Sequence, residues 1–363
     1  MKKDLKIAIV GGWYESTNIG DQAILICLKK LITEFRKERF ILYLFGQNNT
    51  ALSKFSPDKI INTRKIFRVI AALKEIDVFL LGGGTPFFDS YRITLVWIFY
   101  VFFLKLFRKK IIITAVSVQP YKKLLLRNIY SIIVRQADIV TFRDNDSLEY
   151  TKRLVPGKDL RKCPDPALFA NQLVNRINLP SRVQTILIVP RLLSDKHDEL
   201  FHPEMSKIVR NRYVRELVSF IQKAKTEYEI ALFPFHEEEP DSDLKIIYEI
   251  RKYVDIPYYK NQTFKTTIEI FNSYDFILGT RLHSIILAAS LGKPAFAISY
   301  ASKVSGFVKY CNVQNIQFEP IESFSANSIL KFLKNINYSI LRGDHYRLLK
   351  REAKLIRFLL EYL

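Results

Sequence analysis

Short apolar runs alternating with helical patterns constrain this chain more than any other feature. KIAIV (6–10), FILYLF (40–45), IDVFLLGGG (76–84), IIITAVSV (111–118) and ADIVTF (137–142) are separated by stretches of helical periodicity at 21–35, 65–74, 93–107 and 122–135, and another follows at 145–154. A strand that is apolar throughout is buried on both faces, and strands separated by helices run parallel, so this alternation predicts a parallel sheet covered by helices. Between 171 and 184 (NQLVNRINLPSRVQ) the periodicity lapses. It restarts with TILIVPR (185–191), EIALFPF (229–235), DFILGT (275–280) and PAFAIS (294–299), with helices near 207–225, 242–252, 264–273 and 281–291 and a weakly marked strand near Ile256. The expectation is two α/β domains, 1–175 and 185–340, facing each other across a cleft. A basic amphipathic helix follows at 341–363, with Leu348, Leu355 and Leu359 at helical spacing.

The 56 Lys and Arg outnumber the 36 Asp and Glu by 20. Such an excess suits a phosphorylated small molecule, a nucleic acid or an anionic membrane surface. Lys and Arg are spread along the whole chain without a nucleic-acid-binding motif, which argues against nucleic acid. The three cysteines, Cys27, Cys163 and Cys311, are odd in number and far apart, as in a reducing compartment. The first residues pass directly into a strand pattern rather than a secretion signal, so a cytoplasmic location is expected. Ile93 to Leu104 (ITLVWIFYVFFL) is uninterrupted by charge and is followed by Lys105, Arg108, Lys109 and Lys110. Read through Phe107, this helix would span about 22 Å of a hydrocarbon core of about 30 Å, too little to cross it. It is either a core helix lying on a sheet or a helix seated in the inner membrane interface with its cations on acidic lipids. The basic stretch Lys122 to Arg135 adds to the second reading.

Ligands of parallel sheets sit at the carboxyl ends of the strands, and several loops there carry chemistry. The turn from Gly11 to Asp21 ends at a helix start, where unpaired N–H groups attract anions, and Asn18 and Gly20 lie within it. Its spacing is not GxGxxG, and GxxxxGK[ST] is absent from the chain. Asp21 is either a helix N-terminal carboxylate or a ligand group. Gly82, Gly83, Gly84 and Thr85 follow a buried strand and form a candidate binding loop. Arg143 stands at another strand end, where a guanidinium can fork onto a carboxylate or phosphate, and Cys163-Pro164-Asp165-Pro166 presents Asp165 in a rigid turn. Arg281, His283 and Ser284 crowd the start of an otherwise apolar helix, an arrangement suited to anion binding and proton transfer. Ser284 has no Asp-His relay by spacing. His236 precedes Glu237, Glu238, Glu239 and Asp241, in either a site loop or a solvated acidic loop. His197, His202 and His345 have no metal-ligand spacing, and no metal site is expected.

Taken in order, NIGDQA, LGGGTPFFD, FRDNDSLEYTKRL, CPDPALF and GTRLHSIILAASLGKPAFAISYASKVSGF resemble the polysaccharide pyruvyl transferase family, from about Ile7 to Phe307. The resemblance implies two Rossmann-like domains in a GT-B-like arrangement and transfer of pyruvate from phosphoenolpyruvate to a sugar as a ketal, with no further cofactor. Phosphoenolpyruvate would meet Arg281, Arg143, Lys303 and Ser284, with His283 as general acid and Asp21 or Asp165 as the assisting carboxylate. Asn18, Gly20, Gly82, Gly83, Gly84, Thr85 and His236 would form acceptor or cleft loops. The resemblance implies action on secretion-bound glycans, often as lipid-linked oligosaccharides, which would suit a protein peripheral to an anionic membrane. The competing readings are a nucleotide-sugar glycosyltransferase of the same fold and a non-enzymatic binder of anionic ligands or nucleic acid.

Overall fold

The computed structural model describes residues 4–193 and 207–363; His197 and His202 lie outside them. The chain divides into two compact units, Met1–Ser16 with Asp21–Pro166 and Arg351–Leu363, and Thr17–Gly20 with Ala167–Lys350. This partition differs from cuts at 175–185 and 341. Thr17–Gly20 groups with residues far away in sequence, and the last helix, Leu341–Glu361, changes unit near its middle.

The first unit is built on seven parallel strands, β1 (Leu5–Val10), β2 (Phe40–Gly46), β3 (Lys59–Asn62), β4 (Val78–Gly82), β5 (Lys110–Val116), β6 (Ile139–Phe142) and β7 (Leu160–Lys162). Their order is 3-2-1-4-5-6-7. Register is fixed by pairs such as Ile7 with Leu42 on one side and with Val78 on the other. The order reverses between β1 and β4, the place where such sheets bind ligands, and the two glycine turns leave the sheet there. Ile7, Ala8, Leu80, Ile112 and Ile113 are fully buried, each large apolar side chain worth roughly 1.5–3 kcal/mol of burial. The apolar helix spans Tyr91–Leu106. One side is core, with Tyr100 edge-on to Phe79 at 5.6 Å and Trp97 Nε1 donating to Pro86 O at 2.9 Å.

The second unit holds β8 (Thr185–Val189), β9 (Glu229–Leu232), β10 (Phe276–Gly279), β11 (Ala295–Ser299) and β12 (Ile316–Pro320). All pairs are parallel, in the order 12-11-10-8-9, so the reversal falls between β8 and β10. The strand expected near Ile256 is reduced to one isolated bridge between Leu232 and Tyr258. The final helix begins at Leu341, where its spacing placed it. His345 is buried there, its Nε2 2.7 Å from Ser290 O, and Gly292 stays at φ +65 beneath it. All three cysteines are buried free thiols. Among the described residues, no helix is long and apolar enough to cross a membrane.

Candidate functional site

In the second unit the polar groups gather at the carboxyl ends of β8, β10 and β11. After β10, Arg281 is the extended residue that starts the Leu282–Ser290 helix. Its Nε and one terminal nitrogen donate to the two oxygens of Asp243, at 3.0 and 2.6 Å. Asp243 is wholly buried and also accepts from the backbone N–H groups of Leu192, Phe235 and His236 at 3.0, 3.1 and 3.1 Å. Five donors hold this carboxylate, and it in turn fixes the guanidinium plane. Ser284 turns away from this edge: it is buried, and its Oγ donates to Arg281 O at 2.6 Å, inside the helix's first turn.

His283 lies on Gly20, so closely that a Cβ there would overlap its Nδ1. The Thr17–Gly20 segment is held against the loop after β9. Ile19 N donates to Phe235 O at 3.0 Å, Glu237 N donates to Thr17 Oγ1 at 3.0 Å, and Thr17 N donates to Glu238 Oε1 at 3.1 Å. Thr17 Oγ1 also stands 3.4 Å from His236 Nδ1, and Asn18 Oδ1 accepts from Gly20 N at 3.0 Å. Burial, then the Arg281 charge, hold the His236 imidazole below its usual range, against the pull of Asp243, Glu238 and Asp241. The loop carrying His236 is therefore anchored, and Asn18, Gly20, His236, Arg281 and His283 come together.

Three residues of this region were not singled out in the sequence: Asp243, Arg191 and Tyr300. Arg191 follows β8, its guanidinium carbon 4.2 Å from the centroid of the Tyr300 ring, which follows β11. Lys303 Nζ lies 5.4 Å from the same centroid. Tyr300 is buried; burial opposes its ionisation, yet Arg191, Lys303 and Arg281 outweigh that and bring its phenol down to about 8. Three cations thus act on one phenol at the carboxyl ends of β8, β10 and β11.

The first unit carries the remaining candidates. Gly82 and Gly83 serve close packing, because a Cβ on either would run into Leu28 Cδ1 or Ile24 Cγ2 of the Ile19–Arg36 helix, at 2.5 and 2.6 Å. Gly84 at φ +71 has more space, and a Cβ there would sit 3.8 Å from Asp21 Oδ1. Arg143 Nη1 donates to Asp165 Oδ2 at 2.7 Å and its Nε to Ser117 Oγ at 2.7 Å, with Thr85 Oγ1 at 3.4 Å from Nη2. Both side chains of the Arg143–Asp165 pair are buried. Ser117 Oγ donates on to Asp144 Oδ2 at 2.6 Å, while the other oxygen of Asp144 caps the Asn145–Leu154 helix by accepting from Ser147 N at 2.8 Å. A bulge in β5, with Ala115 at φ +52, precedes Ser117. Arg143 and Asp165, given separate roles from sequence, are each other's partners. Among the described residues no group of three or more His, Cys, Asp or Glu is arranged to hold a metal ion.

A family model described as polysaccharide pyruvyl transferase matches residues 18–302. No curated protein matches the chain. Solved structures with a similar fold include UDP-GlcNAc 2-epimerase from Neisseria meningitidis bound to UDP-GlcNAc, at 12% identity and TM-score 0.55 over 96% of this chain and all of that one. MnaA of S. aureus in a co-structure with UDP is 13% identical, with TM-score 0.60 over 94% of this chain and 90% of that one. UDP-GlcNAc 2-epimerase of Methanocaldococcus jannaschii, in complex with UDP-GlcNAc and UDP, is 11% identical, with TM-score 0.54 over 92% and 94% of the two chains. At these identities the likeness shows the fold alone: two Rossmann-like units of the GT-B-like class.

Proposed function

The chain belongs to the polysaccharide pyruvyl transferase family, and from that premise we propose that it moves pyruvate from phosphoenolpyruvate onto a sugar of a lipid-linked, cell-surface glycan or exopolysaccharide precursor. The observation that carries this reading is the convergence of Arg191, Arg281 and Lys303 on Tyr300 at neighbouring strand ends, with Arg281 two positions before His283 in the chain. Phosphoenolpyruvate carries a phosphate and a carboxylate on three carbons, and such a dianionic head needs cations in fixed geometry. Asp243 supplies that fixity to Arg281.

The reaction then runs in two additions. His283 gives a proton to the methylene carbon, whose double-bond electrons take it up, and the neighbouring carbon becomes electrophilic. A sugar hydroxyl adds to that carbon and its proton passes to a carboxylate. Asp21 and Asp165 are the two carboxylates proposed for this step. The C–O bond to phosphate breaks, phosphate leaves, and a second hydroxyl of the same sugar closes the ketal with loss of its proton. Phosphate is the only other product. A net charge of +20 suits an anionic membrane surface as the place where a lipid-linked acceptor would be met.

Calorimetric titration with phosphoenolpyruvate, run beside UDP, tests the donor. Saturable binding to the wild type, weakened by Arg281→Ala and by Lys303→Ala, is the expected result. Lys303→Ala matters because Arg281→Ala also strips a buried carboxylate of its partner. Binding of UDP without phosphoenolpyruvate would overturn the reading.

A further inference from the structure

The Tyr91–Leu106 helix carries no charge from Ile93 to Leu104, yet only one side of it is covered. Thr94, Tyr100, Val101 and Leu104 are buried. Leu95, Phe102 and Leu106 point the other way, 52, 61 and 61% exposed, at spacings of seven and four residues that place them on one stripe. The neighbouring Leu124–Gln136 helix repeats the pattern: Leu126, Tyr130, Ile133 and Val134 are buried, while Leu124 and Leu125 are each 60% exposed and Ile132 48%. Lys123 Nζ sits 4.5 Å from the centroid of the exposed Tyr91 ring, joining the starts of the two helices. Two adjoining apolar stripes exceed the scattered exposed side chains usual on a soluble surface.

Charge selects the occupant. Residues 91–136 contain nine Lys and Arg, and not one Asp or Glu. A second copy would bring a segment of the same sign to this face, with no carboxylate of its own to answer it, and the two would repel. An anionic bilayer offers hydrocarbon for the stripes and phosphates for the cations. Sixteen helical residues reach about 24 Å, short of the roughly 30 Å hydrocarbon core, so the helix would lie in the interface.

We propose that the outer faces of the Tyr91–Leu106 and Leu124–Gln136 helices seat the first unit in the interface of an anionic bilayer, with Leu95, Phe102, Leu106, Leu124, Leu125 and Ile132 entering the headgroup–acyl boundary. The proposal takes the membrane as partner from the proposed function and gives it a surface. Vesicle binding is read without turnover, so failure here and failure of the transferase reading are separable.

The test is flotation of the full chain with vesicles of phosphatidylcholine alone or mixed with phosphatidylglycerol. Binding is expected with the anionic vesicles, reduced by salt and weakened at least about tenfold in the Phe102→Glu, Leu125→Glu double variant, as loss of buried apolar area requires. That variant should melt as the wild type does and still bind phosphoenolpyruvate. Three outcomes overturn the proposal: no binding to anionic vesicles, equal binding by wild type and variant, or a concentration-dependent dimer that the substitutions abolish.

Discussion

His283 and Gly20 are packed so closely that no side chain fits between them: a Cβ on Gly20 would overlap the imidazole at Nδ1. Gly20 is needed for this approach and not for its own backbone, since its φ is not left-handed. Gly20→Ala should therefore displace the ring rather than unfold the unit. Displacement of a reacting group by about 1 Å costs roughly 10²-fold, and a loss of that order in kcat is expected, with little change in melting temperature. Measured kcat equal to wild type would remove His283 from the reacting position.

Asp243 answers to five donors from three segments and has no exposed surface. Replacing it by Ala leaves Arg281 without its paired charge and three backbone N–H groups without an acceptor. Breaking a buried pair from one side typically costs about 3–5 kcal/mol. Asp243→Ala should lose stability of that order in denaturant unfolding and also weaken phosphoenolpyruvate binding, because the guanidinium loses its orientation. A variant with wild-type stability would contradict the buried hub.

Asp243 also explains why part of the site was hidden in the sequence. It ends the run Glu237-Glu238-Glu239-Pro240-Asp241-Ser242-Asp243, which reads as a solvated acidic loop. Only the fold reveals that one carboxylate turns inward while Glu237 and Glu238 accept from Asn261 N and Thr17 N. Tyr300 directly follows the apolar run 294–299 and carries no mark of its own, and Thr17–Gly20 meets partners more than 200 residues away. Arg281 and His283 were legible because a polar cluster opening an apolar helix has few structural uses. The same logic sorts the strands. Central β1, β4, β5, β8, β10 and β11 are apolar because both faces are covered, and they were readable. Edge strands β3, β7 and β12 are part-exposed and carry no such signature, whereas β9, at the other edge of the second sheet, is buried from Ile230 to Leu232 and reads as a strand.

Arg143 and Asp165 give a sharper test of catalytic against structural roles. Both side chains are buried and bonded at 2.7 Å. Asp165→Ala leaves the arginine charge uncompensated, and a loss of about 3–5 kcal/mol is expected. Replacing both, Arg143→Met with Asp165→Leu, should recover a good part of that loss, since a buried pair is often no better than well-packed apolar groups. Thermal unfolding of the single and double variants checks this. A fully stable Asp165→Ala enzyme with abolished turnover would instead favour the general-base role.

Tyr300 should make the proposed donor site sensitive to pH. Burial alone would raise its phenol, but Arg191, Lys303 and Arg281 bring it down to about 8, against an ordinary value of about 10. Because the folded form gives up its proton first, the resulting stability is fully present above about pH 10 and is lost as pH falls through about 8. Ligand binding runs the other way. Below pH 8 the phenol is neutral and the three cations act on the donor; above it the phenolate competes for them. Phosphoenolpyruvate, with its last phosphate group ionising near pH 6, gains no charge over this range. Its Kd should therefore rise between pH 7 and 9, with a ceiling of roughly tenfold per unit by which the bound donor raises the phenol. In Tyr300→Phe the rise should flatten, and the phenolate absorbance step near pH 8 should disappear. An unchanged pH dependence in that variant would mean that the anion is held away from Tyr300.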